Sequence, residues 1–240
     1  MEINQEMKTA LKAGLPDFQP VLPEHTADAL CAFGQAVIEQ NKVMNLTAIT
    51  DPVQVARLHL LDSLTLTRCL DLKGKRLIDV GCGAGFPGVP IAIACPDTDV
   101  TLLDSLGKRV DFLREVCEQL GLKNVTCVHA RAEEFAAGHR ERFDIATSRA
   151  VAQLNVLSEL TLPLVKVGGL FAAMKSTSTD EEIAAARSAI AQLGGQLAGC
   201  TDYPVPETDV IHRIVRIEKV RPTPKQFPRA FARIKKAPLV

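Results

Sequence analysis

The stretch Leu77-Ile78-Asp79-Val80-Gly81-Cys82-Gly83-Ala84-Gly85-Phe86-Pro87-Gly88 decides the fold. An apolar run that ends in alternating glycines reads as a buried strand entering a tight turn. Glycine bends the backbone sharply and puts no Cβ between it and a ligand. The amides at the start of the following helix lack intrahelical partners and face the same place, so strand, turn and helix together can bind a nucleotide-like group. The dinucleotide spacing G-x-G-x-x-G needs its third glycine where Phe86 stands; the spacing here is G-x-G-x-G followed by a bulky ring. Taken alone, the turn suits either a nucleotide-type site or a purely structural bend.

Outward from this turn the chain alternates. Lys73-Gly74-Lys75-Arg76 leads into the first strand. The pattern then predicts a strand over 100–104 and a helix over 108–120, a strand over 125–130 and a short helix over 132–137. Next come a strand over 143–148, a helix over 151–164, a strand over 169–175 and an alanine-rich helix over 180–193. Such alternation marks an α/β fold, a mostly parallel sheet with helices on both faces, whose ligands bind at the carboxyl ends of the strands. Two further strands, 196–203 and 211–219, follow without a helix between them and imply an antiparallel hairpin at the sheet edge.

Three divisions result: a helical extension over 1–72, a core over 73–220 and a basic tail over 221–240. In the extension, Pro16, Pro20 and Pro23 separate a short helix from a longer one with Thr26 as its expected N-cap. Asp51-Pro52 starts a third helix with His59 and Asp62 near its far end. The tail carries Arg221, Lys225, Arg229, Arg233, Lys235 and Lys236 among prolines and no acidic residue, and reads as extended and unsuited to a core.

Composition narrows the class. The 240 residues have zero formal net charge, which argues against a nucleic-acid coat protein while leaving room for a local basic segment. No apolar run reaches the roughly 20 residues of a membrane span, and Met1-Glu2-Ile3-Asn4 lacks the basic start of a secretory signal, so a cytoplasmic protein is expected. The seven cysteines form no C-x-x-C pair and suit a reducing compartment and small core positions.

Chemistry-bearing residues fall at strand ends. Asp104 lies about 20 residues past the glycine turn, where a carboxylate can accept hydrogen bonds from ribose hydroxyls; its structural reading is a helix N-cap. Ala132 and Glu133 follow the third strand and can face an adenine edge, or Glu133 can simply favour a helix start. Arg149 ends the fourth strand and can fork onto a carboxylate or nucleic-acid acceptor, or cover apolar surface; Lys175 ends the fifth and is a similar candidate. His59, His129 and His212 are isolated in sequence and read as structural, and no metal-ligand spacing is present.

Together, Val80-Gly81-Cys82-Gly83-Ala84-Gly85-Phe86-Pro87-Gly88, Asn45-Leu46-Thr47-Ala48-Ile49, His59-Leu60-Leu61-Asp62-Ser63-Leu64, Leu103-Asp104-Ser105-Leu106, Arg131-Ala132-Glu133-Glu134, Ser148-Arg149-Ala150-Val151-Ala152 and the tail Phe227-Pro228-Arg229 to Leu239 carry a resemblance. They resemble the bacterial small-subunit ribosomal RNA guanine-N7 methyltransferases, the glucose-inhibited division protein B family. A glycine common in that family's tail is absent from Ala230-Phe231-Ala232. The resemblance implies a Rossmann-like class I methyltransferase with a seven-stranded sheet. It also implies S-adenosyl-L-methionine (AdoMet) as methyl donor and N7 of a loop guanosine in 16S rRNA, free or in the small ribosomal subunit, as acceptor. By matching position, Gly81, Gly83, Gly85 and Phe86, then Asp104, Ser105 and Leu106, then Ala132, Glu133 and Arg149 would bind the cofactor, with Arg149 and Lys175 orienting the guanine. A monomer without membrane association is expected. The alternatives are a nicotinamide-dependent oxidoreductase and an AdoMet-binding ribosome-assembly factor without turnover.

Overall fold

A computed structural model describes residues 4–18, 22–23, 25–149 and 152–240. Pro20, Ala150, Val151 and the first three residues, all used above, lie outside that range.

The expected central strand is β1 (Arg76–Val80), buried over its last four residues. It pairs in parallel with β2 (Asp99–Asp104) on one side and β4 (Phe143–Arg149) on the other, and β3 (Val125–His129) and β5 (Val165–Ser176) extend the sheet outward. The full order is β3-β2-β1-β4-β5-β7-β6. The last strand, β7 (Ile211–Lys219), inserts antiparallel between β5 and β6 (Gly195–Pro204), so β6 forms the edge. Strand order reverses between β1 and β4, and a crevice opens at such a switch point outside the carboxyl ends of the strands.

The connecting helices are α6 (Gly88–Ala94), α7 (Gly107–Gln119), α8 (Ala132–His139), α9 (Leu154–Thr161) and α10 (Asp180–Gln192). The helix expected over 151–164 begins only at Leu154 and tightens into a 3-10 turn at Leu162–Leu164. The reason is a long-range cap. The Leu154 amide donates to the Glu182 carboxylate of α10, a partner that local sequence cannot reveal.

Before the sheet lie α1 (Gln5–Gly14), α2 (Thr26–Met44), α3 (Pro52–Val55), a wide π-type turn at Ala56–Leu61, α4 (Asp62–Leu64) and α5 (Leu66–Cys69). Asp51 caps α3 through the Gln54 amide at 2.9 Å, and Pro52 occupies the first turn, as expected. Thr26 is not an N-cap. Its amide donates to the Pro23 carbonyl at 2.9 Å, which draws it into the helix behind His25. His59 and Asp62 lie in the middle of this helical run, which continues to Cys69.

These helices share one buried cluster with the glycine turn: Met7, Leu11, Phe33 and Leu60 pack with Phe86, Val89 and Leu113. Gly85 (φ +97°) shows the tightness. A Cβ there would sit 2.7 Å from Leu113 and 3.0 Å from the ring of Phe33. The last glycine of the turn is therefore dictated by packing as well as by backbone conformation.

The tail corrects the expectation of an extended, core-averse segment. It ends in a short helix, α11 (Phe231–Lys236), with Phe227 and Ile234 buried. Arg229 grips Glu159 of α9 through Nε at 2.8 Å and Nη2 at 2.6 Å, and Arg140 donates to the Thr223 carbonyl at 2.6 Å. Glu159 is fully buried, so the basic tail supplies its counter-charge. No helix among the described residues is long and apolar enough to cross a membrane.

Candidate active site

A cleft of about 330 Å³ runs along the carboxyl ends of β1 to β4. Its floor is Val80 and Gly81, where the backbone turns with φ +72° and no side chain intervenes. The next strand contributes Asp104, 5 % exposed. Its Oδ2 accepts from the Gly83 amide and its Oδ1 from the Leu106 amide, both at 2.9 Å. Leu106, not Asp104, occupies the cap position of α7. A carboxylate has about four acceptor positions, so two amides leave capacity toward the cleft. Arg109 sits 3.8 Å from Asp104, and Ser105, Leu106, Ala132 and Glu133 complete this side.

Arg149 closes the β4 end. It is locked from below: Nη1 donates to Asp62 Oδ2 at 3.0 Å and to the Leu58 carbonyl at 3.1 Å, and Nη2 to His59 Nδ1 at 3.2 Å. Its guanidinium lies 5.1 Å over the Phe86 ring, and His59 stacks on the same ring at 4.7 Å. His59 Nδ1 also lies 3.1 Å from the Leu58 carbonyl, and its Nε2 lies 2.7 Å from Thr47 Oγ1, so both ring nitrogens are engaged within the protein. Burial, then the Arg149 charge, lowers the His59 pKa to about 4, so the ring is neutral. Asp62 is fully buried and also accepts from Tyr203 Oη and His212 Nδ1, each at 2.9 Å. Burial alone would raise its pKa; the His212 hydrogen bond and the Arg149 charge outweigh that and hold it below the ordinary value.

Gly81, Asp104, Ser105, Leu106, Ala132, Glu133 and Arg149 are thus gathered around one cleft. Gly83, Gly85 and Phe86 stand behind it: Gly83 through its amide to Asp104, Gly85 and Phe86 through packing. Lys175 is elsewhere. Its Nζ donates at 2.6 Å both to Glu182 and to the Ala152 carbonyl, outside the cleft lining. Sequence reading missed the pairing of Asp62 with Arg149, Tyr203 and His212, which lie 87, 141 and 150 positions away from it. It also missed Leu160 and Phe231 in the cleft wall. Only the apolar character of those two was visible in sequence.

Asp79, at the foot of the glycine turn, is fully buried. Its Oδ2 accepts from the Gly88 amide at 2.9 Å, and its Oδ1 has no partner among the described residues. Burial pushes its carboxyl up to about 7 against the pull of that amide. A carboxyl raised from an unfolded value of 3.8 costs nothing below that pH, and its penalty grows to completion near pH 7. Asp79→Asn should therefore gain stability relative to the parent as pH rises from about 4 to about 7. Urea unfolding at several pH values checks this, and a pH-independent difference would refute it.

Residues 26–203 match the family described as rRNA small subunit methyltransferase G. The ribosomal RNA small subunit methyltransferase G of Clostridium perfringens is 48% identical over 204 residues, covering 84% of this chain and 85% of that protein. The protein of the same name from Alkaliphilus metalliredigens is 43% identical across 98% of this chain and 99% of its own length. Among solved structures, a precorrin-6y C5,15-methyltransferase from Geobacter metallireducens matches 74% of this chain and 91% of its own at 16% identity (TM-score 0.52). M. jannaschii TYW2 in complex with AdoMet matches 67% and 76% at 12% identity (TM-score 0.52). At such identities these structures bear on the fold alone.

Proposed function

Because the chain belongs to the rRNA small subunit methyltransferase G family, we propose that it transfers the methyl group of AdoMet to N7 of a guanosine in an open loop of 16S rRNA, acting as a cytoplasmic monomer. The observation that carries this reading is Asp104, held by two backbone amides at the end of β2 and facing the switch-point cleft beside side-chain-free Gly81. That arrangement fits a ribose with vicinal hydroxyls next to a polar chain passing over Gly81, the two polar parts of AdoMet. When bound, AdoMet supplies an electrophilic methyl group on a sulfonium.

The residues around the cleft do the rest by placement. Guanine N7 carries a lone pair and no proton, so the reaction needs orientation and exclusion of water in place of a general base. His59 matches that requirement. It is neutral, and both of its ring nitrogens are engaged by protein groups, Nδ1 beside Arg149 and the Leu58 carbonyl and Nε2 on Thr47, so it takes no proton from substrate. Arg149, fixed by Asp62, holds a positive, rigid edge where the β1 and β4 ends meet and is assigned to the guanine side. Lys175 is assigned a supporting role: through the Ala152 carbonyl and Glu182 it ties the end of β5 to the start of α9. Exposed Arg233, Lys235 and Lys236 on α11 and Lys108 and Arg131 near the cleft supply phosphate contacts. In A-form RNA the groove displaying N7 is too narrow for side chains, so the target base must be unstacked or in a loop.

Asp104→Ala should weaken AdoMet binding at least tenfold in calorimetry while leaving RNA binding intact, and unchanged affinity would end its ribose assignment. Labelled methyl transfer into 16S rRNA or small subunits, followed by mass-spectrometric mapping, tests the acceptor; a methyl group at any atom but guanine N7 would overturn it. The nicotinamide reading fares worse on packing, because Phe86 fills the place of the third dinucleotide glycine and is buried against Phe33 and His59. Tight NAD binding without AdoMet binding would restore it.

A further inference from the structure

We propose that Phe231, delivered by the C-terminal segment, is the stacking wall for the adenine ring of the methyl donor. The segment then belongs to the cofactor site as well as to the RNA-facing surface. This rests on the AdoMet reading above and adds a residue that reading does not use. Among the described residues lining the cleft, Phe231 is the one aromatic side chain. Leu160, Leu106 and Ala132 line the cleft with it, giving an apolar portion alongside the polar groups of Asp104 and Gly81. A flat heteroaromatic ring is the part of AdoMet that such a portion suits, because base–aromatic stacking rewards burial of both faces without requiring hydrogen bonds.

The placement of Phe231 is built. It is half-buried at the first turn of α11, next to the Arg229–Glu159 clamp. Glu159 precedes Leu160 in α9, so one helix both anchors the tail and contributes an apolar residue to the cleft lining. The Arg229 amide adds a third bond to Glu159, to Oε1 at 2.9 Å, and fully buried Ile234, three residues on and on the same helix face as Phe231, anchors α11. The clamp thereby sets the position of the ring relative to the β-strand ends. A basic helix carrying Arg233, Lys235 and Lys236 on its exposed positions presents an aromatic side chain to the cofactor cleft at its other end.

The chain contains no tryptophan, so Phe231→Trp creates a single indole reporter at the proposed wall. Its emission should change on addition of S-adenosyl-L-homocysteine or adenosine and not on addition of methionine, which lacks the base. Phe231→Ala should bind AdoMet and adenosine roughly tenfold more weakly, by the same factor for both. Phe231→Tyr should retain near-parent affinity, and Ala232→Ser, at an exposed position of α11, should leave cofactor affinity unchanged. Parent-like affinity of Phe231→Ala would overturn the proposal, as would unchanged emission from a Phe231→Trp variant that calorimetry shows to be saturated with S-adenosyl-L-homocysteine. If Phe231→Ala does not fold, the tryptophan variant decides alone. Failure of the parent protein to bind AdoMet would instead overturn the methyl-donor reading itself, which separates the two.

Discussion

Asp62→Ala is expected to lower folding stability by about 3–5 kcal/mol and to remove most methyl transfer to small-subunit rRNA. The carboxylate is fully buried and engages Arg149, Tyr203 and His212 at 2.9–3.0 Å. Deleting it strands the Arg149 guanidinium, only 16% exposed, against Phe86 and His59 with no counter-charge. It also orphans the Tyr203 hydroxyl. Removing one partner of a buried ion pair costs far more than the pair contributes, because the remaining charge keeps its desolvation penalty. Tyr203→Phe, which loses one hydrogen bond and no charge, should cost about 1 kcal/mol and retain activity. Urea unfolding and initial rates on the two variants test the contrast, and equal losses would contradict it. The carboxyl is held below its ordinary pKa, so the stabilisation from this network is complete above an unfolded value of 3.8 and is lost as pH falls beneath it.

Arg229→Ala is expected to have the second large effect, again up to about 3–5 kcal/mol, because it leaves fully buried Glu159 without its cation. Here the molecule has an escape. The tail can detach after Val220, letting water reach Glu159 at the expense of Phe227 and Ile234 burial, so the loss cannot exceed the energy of docking the tail. The observable consequence is rapid tryptic cleavage after Lys225 and Arg233 while the core resists. Arg229→Lys should recover part of the stability and not all of it, since an ammonium cannot reproduce the two-pronged contact. Tail protection identical to the parent in Arg229→Ala would refute the clamp. For the same reason, truncation after Val220 is not a clean test of RNA binding: it exposes Glu159 and removes Phe231 from the cleft along with the basic residues.

Much of this was legible in the chain because its signals are local. The apolar run of β1, the glycine spacing and the Asp51-Pro52 start each depend on neighbours a few residues away, and each stands as read. Strand ends were legible too, since alternation places Asp104 and Arg149 at the carboxyl edges without knowledge of their partners. Signals depending on distant groups failed. Thr26 has the composition of a cap, yet the Pro23 carbonyl pulls it into the helix; α9 starts where Glu182 reaches its amide. Lys175 has the position of a site residue, but Glu182 and Ala152 take its ammonium away from the cleft.

The glycine turn, the parallel α/β order and the row of candidate residues at strand ends were determined by the sequence itself, because backbone freedom and hydrophobic period are properties of adjacent residues. Tertiary structure alone decided which of those residues face one cleft. It buried Asp62 beneath Arg149, and it turned a basic tail with the look of a loose end into a clamped segment. Those outcomes rest on desolvated charge: Glu159 and Asp62 are stable in the interior only with their cations in place, and the residues that supply them come from far along the chain.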